Sequence, residues 1–164
     1  MIFDLMKESF FSSEIWLPKT PEEIFPFFGD AHNLEIITPP WLQFEVLTKG
    51  RIEMRPGTLI DYRIRLHGIQ LRWRTNIVAW EPPYRFIDDQ IRGPFHRWHH
   101  EHIFESQDNG TLCRDRVHYA VLGGPLVDRL FVRQDVEKIF EFRREKLLEF
   151  FQGNVQTSFE KQRQ

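Results

Sequence analysis

TLCRDRVHYAVLGGPLVDRLFVRQDVEKIFEFRREKLLEFF, residues 111–151, is a strand, a break and a helix in succession. Val117 and Tyr119 alternate with polar neighbours in a period of two up to Val121, which predicts a strand over Thr111 to Val121. Gly123-Gly124-Pro125 ends it, because two glycines and a proline cannot continue a strand ladder. Leu126, Leu130, Phe131, Val136, Ile139, Phe140, Phe142, Leu147, Phe150 and Phe151 then follow at mostly helical spacing. Arg133, Asp135, Glu137, Lys138, Arg144, Glu145 and Lys146 occupy the opposite face, so one long amphipathic helix is predicted. A polar tail after Gly153 is expected to fray.

Upstream of this unit the chain reads almost entirely as strands. Runs near Phe44 to Lys49, Thr58 to Leu66, Leu71 to Trp80, Arg85 to Arg92 and Arg97 to Ser106 are separated by His67-Gly68, Glu81-Pro82-Pro83, Gly93-Pro94 and Asp108-Asn109-Gly110. Each connector supplies the backbone freedom or the preset φ that a tight antiparallel turn requires, so a meander is expected. A first strand from Phe10 to Leu17 precedes them. Thr20-Pro21-Glu22-Glu23 joins an N-cap threonine, a proline at the first helical position and a glutamate at the third, a helix start on three grounds. That helix runs through Ile24, Phe25 and Phe28, and a second short one is placed at His32 to Ile37, stopped by Pro39-Pro40.

At 164 residues the chain is the size of one domain, here residues 1–153 with 154–164 as tail. A net charge of -2 lacks the basic excess of a phosphate-tracking surface, so nucleic acid is not an expected partner. Cys113 is the only cysteine, which rules out an internal disulfide and suits a reducing compartment. Asp4, Lys7 and Glu8 interrupt the apolar N-terminal stretch from Met1 to Phe10, and no later run could span a bilayer; a cytoplasmic monomer or homodimer without stable membrane insertion is expected. Aromatic residues reach 15%, a supply of rigid ring surface suited either to filling a core or to lining an apolar pocket.

The order strand, two short helices, antiparallel run and long terminal helix lets a sheet curl around the last helix. The stretches Asn33-Leu34, Thr38-Pro39-Pro40-Trp41-Leu42, Trp80-Glu81-Pro82-Pro83, Gly93-Pro94-Phe95 and Trp98-His99-His100-Glu101-His102 resemble the START-related SRPBCC superfamily, in particular a bacterial branch described as polyketide cyclase/dehydrase-like. The resemblance covers Phe10 to Phe151. It implies an α+β helix-grip fold, with a curved antiparallel sheet of about seven strands around the C-terminal helix, and a hydrophobic cavity between them. Aromatic cyclases, lipid carriers and plain binding proteins share that fold, so the resemblance does not choose among activities.

Strand alternation sorts the candidate site residues. Trp98, His100, His102 and Phe104 share one face; Phe86, Asp88 and Gln90 go together, as do Trp73 with Leu71 and Thr75, and Asp115 with Val117 and Tyr119. Asp88, Gln90, His100, His102, Asp115 and Tyr119 are therefore expected to form a polar cluster at the cavity wall. Such a cluster can satisfy itself structurally, orient a ligand carbonyl or hydroxyl, or tune a general acid or base near neutral pH. With Trp41, Tyr62, Trp73, Trp98, Phe131 and Phe140 supplying apolar surface, these residues form the candidate ligand-binding set. His100-x-His102 with Asp88 or Asp115 has a spacing that zinc can use, but no cysteine or helical His-Glu-x-x-His supports it, and neither metal nor other cofactor is assigned. Ser12, Ser13, Ser106 and Ser158 lack a nucleophile elbow, and Gly123-Gly124 lacks the residues of a phosphate loop. Arg72, Arg74, Arg114 and Arg116 read as a solvated outer stripe interleaved with acids.

Three functional classes follow. A carrier or sensor of a lipid, quinone or polyketide-like molecule is favoured; a cofactor-independent cyclase or dehydratase and an interaction module with a filled core are the alternatives.

Overall fold

The computed structural model describes residues 8–161, with side chains described over 8–152. Residues 1–7 of the charged N-terminal stretch and 162–164 of the tail lie outside the described residues. The chain forms β1 (Ser9–Leu17), α1 (Pro21–Phe28), 3-10 turns at Ala31–Glu35 and Pro40–Leu42, β2 (Glu45–Val46), β3 (Leu59–Leu66), β4 (Ile69–Glu81), β5 (Arg85–Arg92), β6 (Arg97–Gln107), β7 (Gly110–Ala120), α2 (Gly124–Val127), a π-helical turn at Asp128–Val132, and α3 (Arg133–Lys161). The strands make one antiparallel sheet in the order β1-β7-β6-β5-β4-β3-β2. The architecture is the α+β helix-grip fold expected from the sequence: a meander from β2 to β7, with β1 returning to pair with β7.

Local chemistry explains most boundaries. Thr20 N–H donates to the Glu23 carboxylate at 2.9 Å, closing the start of α1. His67 and Gly68 both have positive φ, as do Asp108 and Asn109, which is the backbone that two-residue hairpin turns need to match strand twist. Gln90 wraps the turn between β5 and β6: its Nε2 donates to Phe95 O at 2.7 Å, and a Cβ on Gly93 would meet its Oε1 at 2.3 Å. Register shifts between Arg74 and Thr75 and between Ile77 and Ala79 bend β4 against β5, the kind of irregularity by which a sheet curves.

Several expectations are corrected. The strand expected over Phe44 to Lys49 pairs only at Glu45–Val46. It is the outer edge of the sheet, with a ladder partner on one side alone. The long helix expected from Leu126 is present and starts at Gly124, running without interruption through a π turn at Asp128–Val132 into α3; Gly123 and Gly124, at positive φ, set the reversal into it. Beyond Gly153 the backbone remains helical to Lys161, and no proline stops it.

The core has three parts. Leu17, Ile24, Phe25, Phe86, Phe104 and Leu147 join α1 and the end of α3 to the sheet. Val117, Tyr119, Val136 and Phe140 join β7 to the start of α3, and Ala31, Ile60, Tyr62 and Ile77 close the far edge. No helix among the described residues is long and apolar enough to cross a membrane. Three arginines of the outer stripe are paired: Arg74 with Asp61 at 2.7 Å, Arg114 with Glu14 and Glu105, and Arg116 with Glu101 at 3.7 Å.

Candidate functional site

Between the concave face of the sheet and α3 lies a cavity of about 350 Å³. Its walls are mostly apolar: Ile60, Tyr62 and Ile64 from β3, Trp73 and Ile77 from β4, Trp98 from β6, and Val136, Ile139 and Phe140 from α3. Phe95, held by the Gln90 bridge, adds a ring that packs on Trp73 and Trp98 at centroid distances of 5.6 and 4.6 Å. One pole is different. Asp88, His100, His102 and Arg143 reach the same cavity, with Asp115 immediately behind.

Register builds this pole. Asp88 stands opposite His100, and Asp115 opposite His102, so alternation brings all four side chains to one face of three adjacent strands. The shortest contacts run along the diagonals. His102 Nε2 is 2.9 Å from Asp88 Oδ2, and His100 Nε2 is 2.9 Å from Asp115 Oδ1. His102 Nδ1 also lies 3.0 Å from Asp115 Oδ1, so both ring nitrogens face a carboxylate. The imidazole rings of His100 and His102 lie 3.7 Å apart, both buried.

The two histidines are driven in opposite directions. Burial, aided by the neighbouring His102, lowers His100 from 6.5 to about 4, outweighing Asp115 and Asp88. Burial also acts to lower His102, but hydrogen bonding and attraction from Asp115 and Asp88 win and raise it. Burial works to raise Asp115, yet Arg143, His100 and His102 together hold it well below its ordinary range; Asp88 is lowered in the same way, chiefly by His102. The arrangement can stabilise an imidazolium at His102 beside a neutral His100, a pair able to give and take protons at a ligand oxygen. Asp88, His100 and His102 place donor atoms within 4.8 Å of one another, and the guanidinium of Arg143 stands beside the same cluster.

Of the residues singled out from the sequence, Tyr62, Trp73, Asp88, Trp98, His100, His102 and Phe140 border the cavity. Gln90 braces the turn carrying Phe95, Asp115 sits behind the histidines, and Tyr119 is wholly buried against Phe95 and Trp98. Trp41 and Phe131 lie away from it. Trp41 is 57% exposed and meets Phe142 edge-on, while Phe131, in the π turn, is 65% exposed. Cys113 is buried in the core, where burial pushes its thiol up to about 12.

Arg143 was missed. It stands seven residues after Val136 and four before Leu147, within the buried stripe rather than on the charged face, and that spacing was the available signal.

Fold and cavity define a helix-grip protein with an amphipathic internal site. The chain belongs to the polyketide cyclase / dehydrase and lipid transport family, whose model matches residues 17–152. Among solved structures it is similar to the ZhuI aromatase/cyclase from Streptomyces sp. R1128, with a TM-score of 0.71 and 14% identity over 91% of this chain and 96% of that one. It is also similar to Ara h 8.0201, with a TM-score of 0.67 and 18% identity over 90% and 99%. TTHA0849 from Thermus thermophilus aligns with a TM-score of 0.57 and 22% identity over 92% and 99%. At these identities the likeness is one of fold. No curated protein matches the chain.

Proposed function

We propose that the chain binds a small, largely apolar molecule in the sheet–helix cavity, as a carrier or sensor, and orients it by one polar end. The observation that carries this reading is the asymmetry of the cavity: apolar and aromatic along its walls, with ionisable groups gathered at a single pole. Such a pocket gains affinity from buried apolar area and orientation from a few convergent polar groups. Tyr62, Trp73, Trp98 and Phe140 are the proposed apolar contacts, and Asp88, His100 and His102 the polar ones, with Gln90, Asp115 and Tyr119 supporting them from behind.

A second reading is favoured by one feature. His102 lies between two carboxylates with its ring at the cavity, a placement suited to proton transfer in a cofactor-independent cyclisation or dehydration.

Native mass spectrometry of protein purified from its own host tests the first reading. A stoichiometric hydrophobic molecule is the expected result, and its conversion on incubation would move the assignment to the second. Protein that is empty and ignores a panel of lipids, quinones and polyketides would overturn both.

A further inference from the structure

Arg143 is only 8% exposed, yet its guanidinium makes no hydrogen bond among the described residues. Its one ionic approach is Nη1 to Asp115 Oδ1 at 3.8 Å, beyond hydrogen-bond length, and its carbon lies 5.6 Å from the centre of the Phe140 ring. Nε is buried without any acceptor. A guanidinium carries five donors in a planar fork, and leaving them unpaired away from water is costly. Arg143 borders the cavity, and its Nη donors, unpaired but not closed off as Nε is, are the ones an acceptor there can engage.

The charge of that acceptor follows from the neighbours. Arg143 is the only arginine or lysine among the described residues lining the cavity. It already faces Asp115, with Asp88 in the same cluster, and both carboxyls are held in the ionised form. A ligand carboxylate would add a third anion to a site with one permanent cation, whereas a neutral oxygen acceptor adds none. Resting on the reading that the cavity takes an apolar ligand, we infer that Arg143 anchors an uncharged carbonyl oxygen, as in a ketone, quinone or ester, and that the site discriminates against fatty acids and other carboxylates.

Three molecules of one shape test this: naphthyl methyl ketone, naphthoic acid in its ionised form, and ethylnaphthalene, each titrated against the protein by calorimetry. The ketone is expected to bind about tenfold or more tighter than the hydrocarbon, the effect of one charge-assisted hydrogen bond, and tighter than the acid. In Arg143→Met the ketone and hydrocarbon should bind within about twofold of each other. If that variant fails to fold because Asp115 loses its counter-charge, Arg143→Met combined with Asp115→Asn removes both charges and carries the same expectation. Equal binding of ketone and hydrocarbon to the unaltered protein, tighter binding of the acid, or a ketone preference that survives loss of Arg143 would each overturn the inference alone. Failure of all three molecules to bind would overturn the ligand-binding reading with it.

Discussion

Phe86 of β5 lies flat against His102 of β6, ring centroids 3.9 Å apart and planes within 15° of each other. The two residues are register partners, and His100 covers the other side of the imidazole at 3.7 Å. His102 is thus held between an apolar ring and a second imidazole, which fixes Nε2 toward Asp88 and joins the hydrophobic core to the polar pole of the cavity. Phe86→Leu keeps an apolar side chain but removes the flat support. It is expected to cost about 1–2 kcal/mol in chemical denaturation and to shift the NMR titration of His102. An unchanged His102 titration would show that the stack does not position the ring.

The opposite shifts of the two histidines make stability depend on pH in two limbs. His100, lowered to about 4, must take up a proton on unfolding; its contribution is complete above 6.5 and is lost as pH falls toward 4. His102 is raised and releases its proton on unfolding, so its contribution is present below 6.5 and lost as pH rises through its folded value. The groups facing them are Asp88 from β5, Asp115 from β7 and Arg143 from α3; the two carboxyls, held below 3.8, add a loss only at still lower pH. Urea midpoints measured between about pH 4 and about pH 9 should pass through a maximum, with His100→Gln flattening the acid limb and His102→Gln the alkaline one. The reverse assignment of limbs would contradict the geometry.

Tyr119 is fully buried, and its hydroxyl, beside Asp128 and Ser9, is left without a hydrogen bond of good geometry. Asp128 nearby accepts instead from Ser9, at 2.6 Å. Removing an unpartnered hydroxyl removes no bond, so Tyr119→Phe should change stability by less than about 1 kcal/mol, whereas Tyr119→Ala should cost about 3 kcal/mol or more. A large loss in the phenylalanine variant would reveal a bond the hydroxyl makes in solution.

His67, at the turn joining β3 and β4, places Nε2 2.7 Å from Asp135 Oδ2 in the first turn of α3. Leu66 and Asp135 both border the cavity, so this pair ties its two sides together at the mouth. The imidazole is largely exposed, and an exposed pair adds little stability. Its effect is expected in exchange kinetics: His67→Ala should speed both association and dissociation of a bound naphthyl ketone in stopped-flow fluorescence while Kd moves by less than about threefold. Equal rates in both proteins would mean that the pair does not gate the cavity.

Periodicity and turn chemistry made the elements legible in the sequence. Strand alternation sorted Trp98, His100, His102 and Phe104 onto one face, and positive-φ turn residues marked where the meander reverses. Each of these depends on geometry within a few residues, which the local sequence determines. What lies between elements was not legible in the same way. The sequence pattern selected Trp41 and Phe131 as ring surfaces, but Phe131 is exposed within the π turn and Trp41 meets Phe142 at the surface. It passed over Arg143, whose place in the apolar stripe acquires meaning only once α3 is laid against Asp115 on β7.

That the chain forms an antiparallel meander followed by a long amphipathic helix was determined by its sequence alone, through backbone rules acting over a turn or a pair of strands. Which carboxylate bonds which histidine, and that a guanidinium is buried at one pole of the cavity without an acceptor, was decided by tertiary structure. Those contacts arise from strand register and from how the helix closes on the sheet, and both are set by many weak packing terms summed over residues distant in the chain.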